Sequence, residues 1–175
     1  MSVLCEYKIA NDNEIHGFTE LEVGRCEQSI GFVLPFQYRE FLLTIGHDAG
    51  LLFQGTDILF RNVENLLELR KEAEDLLEEN EETFSLPSDA FVFSMHQGYE
   101  FNYFVISEGN DPPVYQYVEG NGNSELFWGS FSLFLRKSIN SCAQAIKDGV
   151  IPLQWWGGYL DENGKVMNFF PTISE

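Results

Sequence analysis

The chain has 175 residues, 44% hydrophobic and 15% aromatic, and a formal net charge of -18. That length fits one domain, and so apolar a chain is no disordered acidic tail. The charge argues against nucleic acid and an anionic membrane as direct partners, because phosphate recognition needs clustered Lys and Arg; a basic protein is the charged partner that remains.

Residues 1–18 have no clear period and read as a short strand or arm. Thr19 is placed to cap a helix carrying Leu21, Val23, Cys26 and Ile30, with Glu20 and Glu22 suited to its positive end and Gly31 as its stop. Leu34-Pro35 opens a second helix, in which Tyr38, Phe41, Leu42 and Ile45 recur at i, i+3, i+4 and i+7 and form one apolar stripe. Gly46 to Gly50 ends it. Leu51-Leu52-Phe53 and Ile58-Leu59-Phe60 flank Gly55 and read as a short strand pair or a loop and strand. A long helix follows over residues 62–82, with Leu66, Leu69, Ala73, Leu76 and Leu77 on its buried face, and Pro87 breaks the exit.

The period then changes to that of strands. Phe91-Val92-Phe93, Glu100 to Ile106 and Val114 to Val118 are β-rich runs separated by turn signals at His96-Gln97-Gly98 and Gly109 to Pro113. Gly120 to Asn123 is a further turn before Leu126-Phe127-Trp128. Ser130 caps a last helix with Phe131, Phe134, Leu135, Ile139, Cys142, Ala143 and Ile146 on one face, ending at Gly149. The tail to Glu175, with Trp155-Trp156, is too apolar for a free linker. This order is α+β: one domain, an antiparallel β-sheet meander flanked by helices.

No arrangement for catalysis is evident. His16, His47 and His96 have neither metal-ligand nor dyad spacing, and the latter two fall in turns. Cys5, Cys26 and Cys142 form no Cys-x-x-Cys; Cys26 and Cys142 lie on apolar helix faces and read as core, reduced in a cytosol. No phosphate loop, calcium loop or Gly-x-Ser-x-Gly occurs. Met1 to Ala10 show no basic region followed by a long apolar run, so no signal peptide is expected, and no apolar run is long enough for a membrane helix. A cytoplasmic protein without cofactor, metal or enzymatic activity is expected.

What remains is charge. No Lys or Arg lies between Lys71 and Arg136, while 13 carboxylates do, seven of them from Glu72 to Glu82. A solvated helix face accounts for such a run plainly, although like charges three or four residues apart weaken a helix. The sharper reading is a surface matched to a basic cleft, since complementary charge speeds association and excludes wrong partners. Tight binding also needs buried aromatic anchors, for which Tyr99, Tyr115, Tyr117, Trp128, Trp155 and Trp156 are candidates.

The segment Glu20-Leu21-Glu22, Ile30-Gly31-Phe32-Val33-Leu34-Pro35, Tyr38 with Glu40-Phe41-Leu42, and Gly46 to Gly50 resembles the opening of the SMI1/KNR4 family, also called the SUKH superfamily. Phe91-Val92-Phe93, Gly98-Tyr99-Glu100-Phe101, Val114-Tyr115 and the later Ser130-Phe131 with Phe134-Leu135 resemble its strands and closing helix. The resemblance spans about residues 19–146 of a single domain over 1–175, leaving 147–175 as a C-terminal extension packed back on it. It implies a non-catalytic scaffold of the bacterial immunity-protein type, which binds and neutralises a cognate toxin, often a nuclease. Fungal relatives imply the alternative, a general interaction or regulatory module. On the first reading the partner is a basic toxin domain, and the residues expected to meet it are Glu72, Asp75, Glu78, Glu79, Glu82, Glu100 and Tyr99.

Overall fold

A computed structural model of the protein describes residues 2–149 and the backbone of two short strands beyond them, 158–160 and 166–168. The first segment is not a simple arm. Ser2 caps a single helical turn, α1 (Val3–Glu6), and a 3-10 turn at Asp12–Glu14 leads into β1 (Ile15–His16). β1 pairs antiparallel with β2 (Asp48–Ala49). A four-residue helix has no period to read, which is why only the short strand was foreseeable.

Capping sets the ends of α2 (Glu20–Ile30). The Glu22 N–H donates to Thr19 Oγ1 at 3.3 Å and the Thr19 N–H donates to Glu22 Oε2 at 2.8 Å, a reciprocal capping box. Gly31 closes the helix at φ 74°, a left-handed conformation that costs a residue with Cβ. In α3 (Phe36–Ile45) Pro35 occupies the cap position, and Tyr38, Phe41, Leu42 and Ile45 are all buried. α4 (Val63–Glu79) starts at Asn62 and is shorter than its charge pattern suggests, because Asn80 caps it and Glu81 turns to φ 54°. Its expected buried face is buried in full, with Val63 added.

The two apolar runs around Gly55 do not pair with each other. Leu52, Ile58 and Phe60 enter the core separately. Their backbone is satisfied elsewhere: Asp57 exchanges hydrogen bonds with Met95 at 2.8 and 2.9 Å, and the Phe60 N–H reaches the Gly46 carbonyl at 2.8 Å.

β3 (Ala90–His96), β4 (Glu100–Val105), β5 (Val114–Val118) and β6 (Ser124–Trp128) form one antiparallel meander in that order. Side chains alternate across it. On one face Phe104 stacks with Phe91 and Phe93 at 5.5 and 5.6 Å and meets Tyr38 of α3 and Phe131 of α5 (Phe131–Lys147). The other face receives α4, which lies mainly along β3, and the segment after it, whose Phe84 packs beside Tyr103. The core is therefore two layers, one on each side of the sheet. β7 (Gly158–Leu160) pairs antiparallel with β8 (Val166–Asn168). The expected packing of the extension, with Trp155 and Trp156, lies outside the described residues.

Candidate partner-binding surface

The acidic helix has several sides. With about 3.6 residues per turn, Arg70, Glu74 and Glu78 fall on one flank of α4, Glu68, Glu72 and Glu79 on the other, and Lys71 and Asp75 on the crest between them. Cations already engage part of the set: Arg70 pairs with Glu74 at 2.9 Å and Lys71 pairs with Asp75. Arg70 also donates to the Ala90 carbonyl at 2.7 Å and to Pro87 at 3.3 Å, tying its flank to the strand that follows. Arg25 of α2 pairs with Glu64 at 2.6 Å. Glu72, Glu78 and Glu79 are exposed and make no ion pair among the described residues. The helix thus carries seven carboxylates against Arg70 and Lys71.

Glu82 belongs elsewhere. It lies beyond the helix, half-buried, and accepts a hydrogen bond from Tyr117 Oη of β5 at 2.9 Å. Burial first, and then the Glu82 carboxylate, push the Tyr117 phenol up to about 12. Glu82 is thus a tie between the end of α4 and the sheet.

Tyr99 and Glu100 lie at the turn joining β3 and β4. Tyr99 is exposed and edge-on to His96, with ring centroids 5.5 Å apart. Its carbonyl accepts from the Glu119 N–H at 2.8 Å, which brings the β3–β4 and β5–β6 turns to one end of the sheet. Glu82 also reaches that end, 3.9 Å from where a Cβ on Gly122 would stand. Alternation puts Glu100 on the face opposite Tyr117, where Gln116 Nε2 donates to Glu100 Oε1 at 3.0 Å. Gln116 begins a polar row that continues through Asn102 to Ser94, with Asn102 Nδ2 donating to Ser94 Oγ at 3.0 Å. The seven expected residues therefore occupy three places: the exposed helix, the tie at Glu82, and the turn with Tyr99 and Glu100.

One feature was not foreseen. α4 and the residues after it cover β3, β4 and the Tyr117 end of β5, and leave the β6 side of their face open. In the cross-strand row Val92, Tyr103, Tyr115, Leu126, side chains become more open toward β6, from 2% for Val92 to 63% for Leu126. Tyr103 and Tyr115 stack at 5.3 Å, and Tyr115 Oη donates to Glu108 at 3.0 Å. Phe127 is 45% exposed. Leu126-Phe127-Trp128 stands in the sequence only as an apolar run after a turn; its place as an edge strand depends on strand order, which local patterns do not carry.

Two of the histidines and two of the cysteines are held within the fold. His47 is no exposed turn residue: Phe18 packs on its ring at 4.3 Å, Nδ1 meets the Phe60 carbonyl and Nε2 lies 3.4 Å from Glu22. His96 Nδ1 meets Thr56 Oγ1 at 3.0 Å. Burial raises the Cys26 thiol to about 12 and that of Cys142 to about 11, the reverse of what a nucleophile requires. Among the described residues no group of three or more His, Cys, Asp or Glu is placed to hold a metal, and no helix is long and apolar enough to cross a membrane.

This is an α+β domain whose distinctive surfaces are an acidic helix and a half-open sheet face. The sequence model of the SUKH_6 family, described as SMI1-KNR4 cell-wall, matches residues 20–135, and the chain belongs to that family. Membership agrees with an immunity-type protein and with the generally non-catalytic character of such domains. A search of curated proteins finds no match.

Proposed function

We propose that the protein is an immunity protein, which binds a basic toxin domain through its acidic surface and neutralises it by occlusion. The observation that carries this reading is the state of α4: its two cations are engaged, while Glu72, Glu78 and Glu79 are exposed without an ion pair among the described residues. Self-repulsion on a helix is unfavourable by a few tenths of a kcal/mol per pair, and a positively charged cleft converts it into attraction. Such complementarity raises association rates toward ~10⁸–10⁹ M⁻¹s⁻¹ at low salt. No chemistry is required of the protein, only stoichiometric coverage of the toxin's site.

On this reading the helix steers the encounter, while Tyr99 at the β3–β4 turn and Tyr115 and Leu126 toward the β6 edge supply apolar contact. The domain works as one unit over 1–175, in the compartment where the toxin acts, the cytoplasm. The test is co-purification of the full chain with the basic toxin domain encoded beside it, at about 0.15 M salt where screening acts beyond ~8 Å, together with rescue of cells expressing that toxin. A one-to-one complex and rescue support the proposal. Absence of both overturns it in favour of a general interaction module.

A further inference from the structure

We propose that the free edge of β6, Ser124–Trp128, accepts an extended basic strand of the partner, which joins the meander as a fifth strand. This deepens the immunity reading and rests on it for the identity of the partner. The sheet order ends at β6, and among the described residues no strand pairs with its outer side. An antiparallel strand directs the N–H and C=O groups of alternate residues to each side, so β6 presents an unpaired row there. The opposite edge differs: Asp57 bridges Met95 and covers part of β3.

Edge strands are usually guarded by Lys, Pro, bulges or a covering segment. β6 contains neither Lys nor Pro; its guards among the described residues are its shortness, the charge of Glu125 and a register shift beside Val114. Its central residues Glu125, Leu126 and Phe127 are all exposed. Leu126 extends the Tyr103–Tyr115 row, so an added strand finds apolar side chains as well as backbone partners. Main-chain bonds supply affinity in this mode, and alternate side chains supply specificity.

Charge selects the occupant. Exposed Glu125, Glu119 and Glu108 surround the edge, with no Lys or Arg between Lys71 and Arg136. A second copy, itself at -18, is repelled. The end of α5 lies on the other side of the sheet: Cys142 and Ala145 line a groove of about 330 Å³ with Leu51 to Gly55 and His96 of β3. A strand alternating Lys with β-branched residues satisfies both the backbone row and the field.

The test uses the full chain and a synthetic octapeptide alternating Lys and Val, read by residue-resolved amide exchange in about 0.15 M salt. The expected result is slowed exchange of outward-facing β6 amides and a Kd weakened at least tenfold by Leu126→Lys. A Glu–Val octapeptide and a backbone N-methylated Lys–Val octapeptide should give no protection. Four results overturn the proposal: no protection at millimolar peptide; protection confined to α4; β6 amides already slow in the free chain, meaning the C-terminal segment covers the edge; or concentration-dependent protection without peptide, meaning self-pairing. Leu126→Lys is also tested against the toxin domain. Toxin binding with β6 unprotected and Kd within twofold of the parent rejects the strand alone; no toxin binding rejects the immunity reading.

Discussion

Replacing Tyr38 with Phe should stabilise the protein. Tyr38 has 0% exposure, and its Oη has no hydrogen-bond partner among the described residues. The rings of Phe41, Phe91, Phe93, Phe104 and Phe131 surround it with centroids 5.1–5.9 Å away. Burial pushes the phenol well above its ordinary value, as expected for a hydroxyl removed from water. An unsatisfied buried polar group costs about 1–3 kcal/mol. The substitution removes that cost and leaves a one-atom void, whose penalty at about 24 cal/mol per Å³ is a few tenths of a kcal/mol. The net gain is about 1 kcal/mol, or about 2–4 °C in Tm for a chain of this size. Urea unfolding followed by tryptophan fluorescence, compared through the midpoint at constant slope, measures it. A loss of 1 kcal/mol or more would refute the reasoning, because Oη would then have a partner worth more than its desolvation.

Gly17→Ala should be severely destabilising. Its Cβ would stand 1.9 Å from the Leu43 carbonyl oxygen, a backbone atom unable to yield without moving α3; a loss above about 3 kcal/mol in the same unfolding assay is expected, against which Gly24→Ala, with open space around it, is the control. Acid sensitivity should trace in part to Glu22. The Thr19 N–H, then its hydroxyl, and the nearby His47 hold this carboxyl below its ordinary 4.5. A depressed folded value means the stabilisation is present at neutral pH and is lost as pH falls from about 4.5 through the lower folded value. Glu22→Gln should therefore flatten the decline of stability in that window, measured by thermal unfolding between pH 7 and pH 3.

Much of this architecture was legible because its determinants are local. The Thr19 and Glu22 cap, the Tyr38–Phe41–Leu42–Ile45 stripe and the Ser130 cap each reside in a few neighbouring residues, and each formed as its pattern indicates. The failures are non-local. Leu51–Phe53 and Ile58–Phe60 have strand composition, but Asp57 found its partner in Met95 and Phe60 in Gly46. The acidic run extends smoothly to Glu82, yet Asn80 ends the helix and Tyr117, 35 residues away, claims Glu82. The candidate surface was legible as charge and illegible as shape. Composition located the carboxylates, and the i,i+4 spacing of Arg70 with Glu74 and Lys71 with Asp75 is local to the helix, whereas the tie of Glu82 to Tyr117 and the open edge at Leu126 follow from the tertiary fold.

The most direct measurement on the proposed function is the affinity of the full chain for the neighbouring basic toxin domain after Glu72, Glu78 and Glu79 are changed together to Lys. These side chains are exposed and make no ion pair among the described residues, so the fold should persist, checked by circular dichroism and Tm. The account predicts a Kd at least tenfold weaker at about 0.15 M salt, a loss of about 1.4 kcal/mol, and a shallower salt dependence. An unchanged Kd in a folded variant would contradict it and leave α4 as a solvated face.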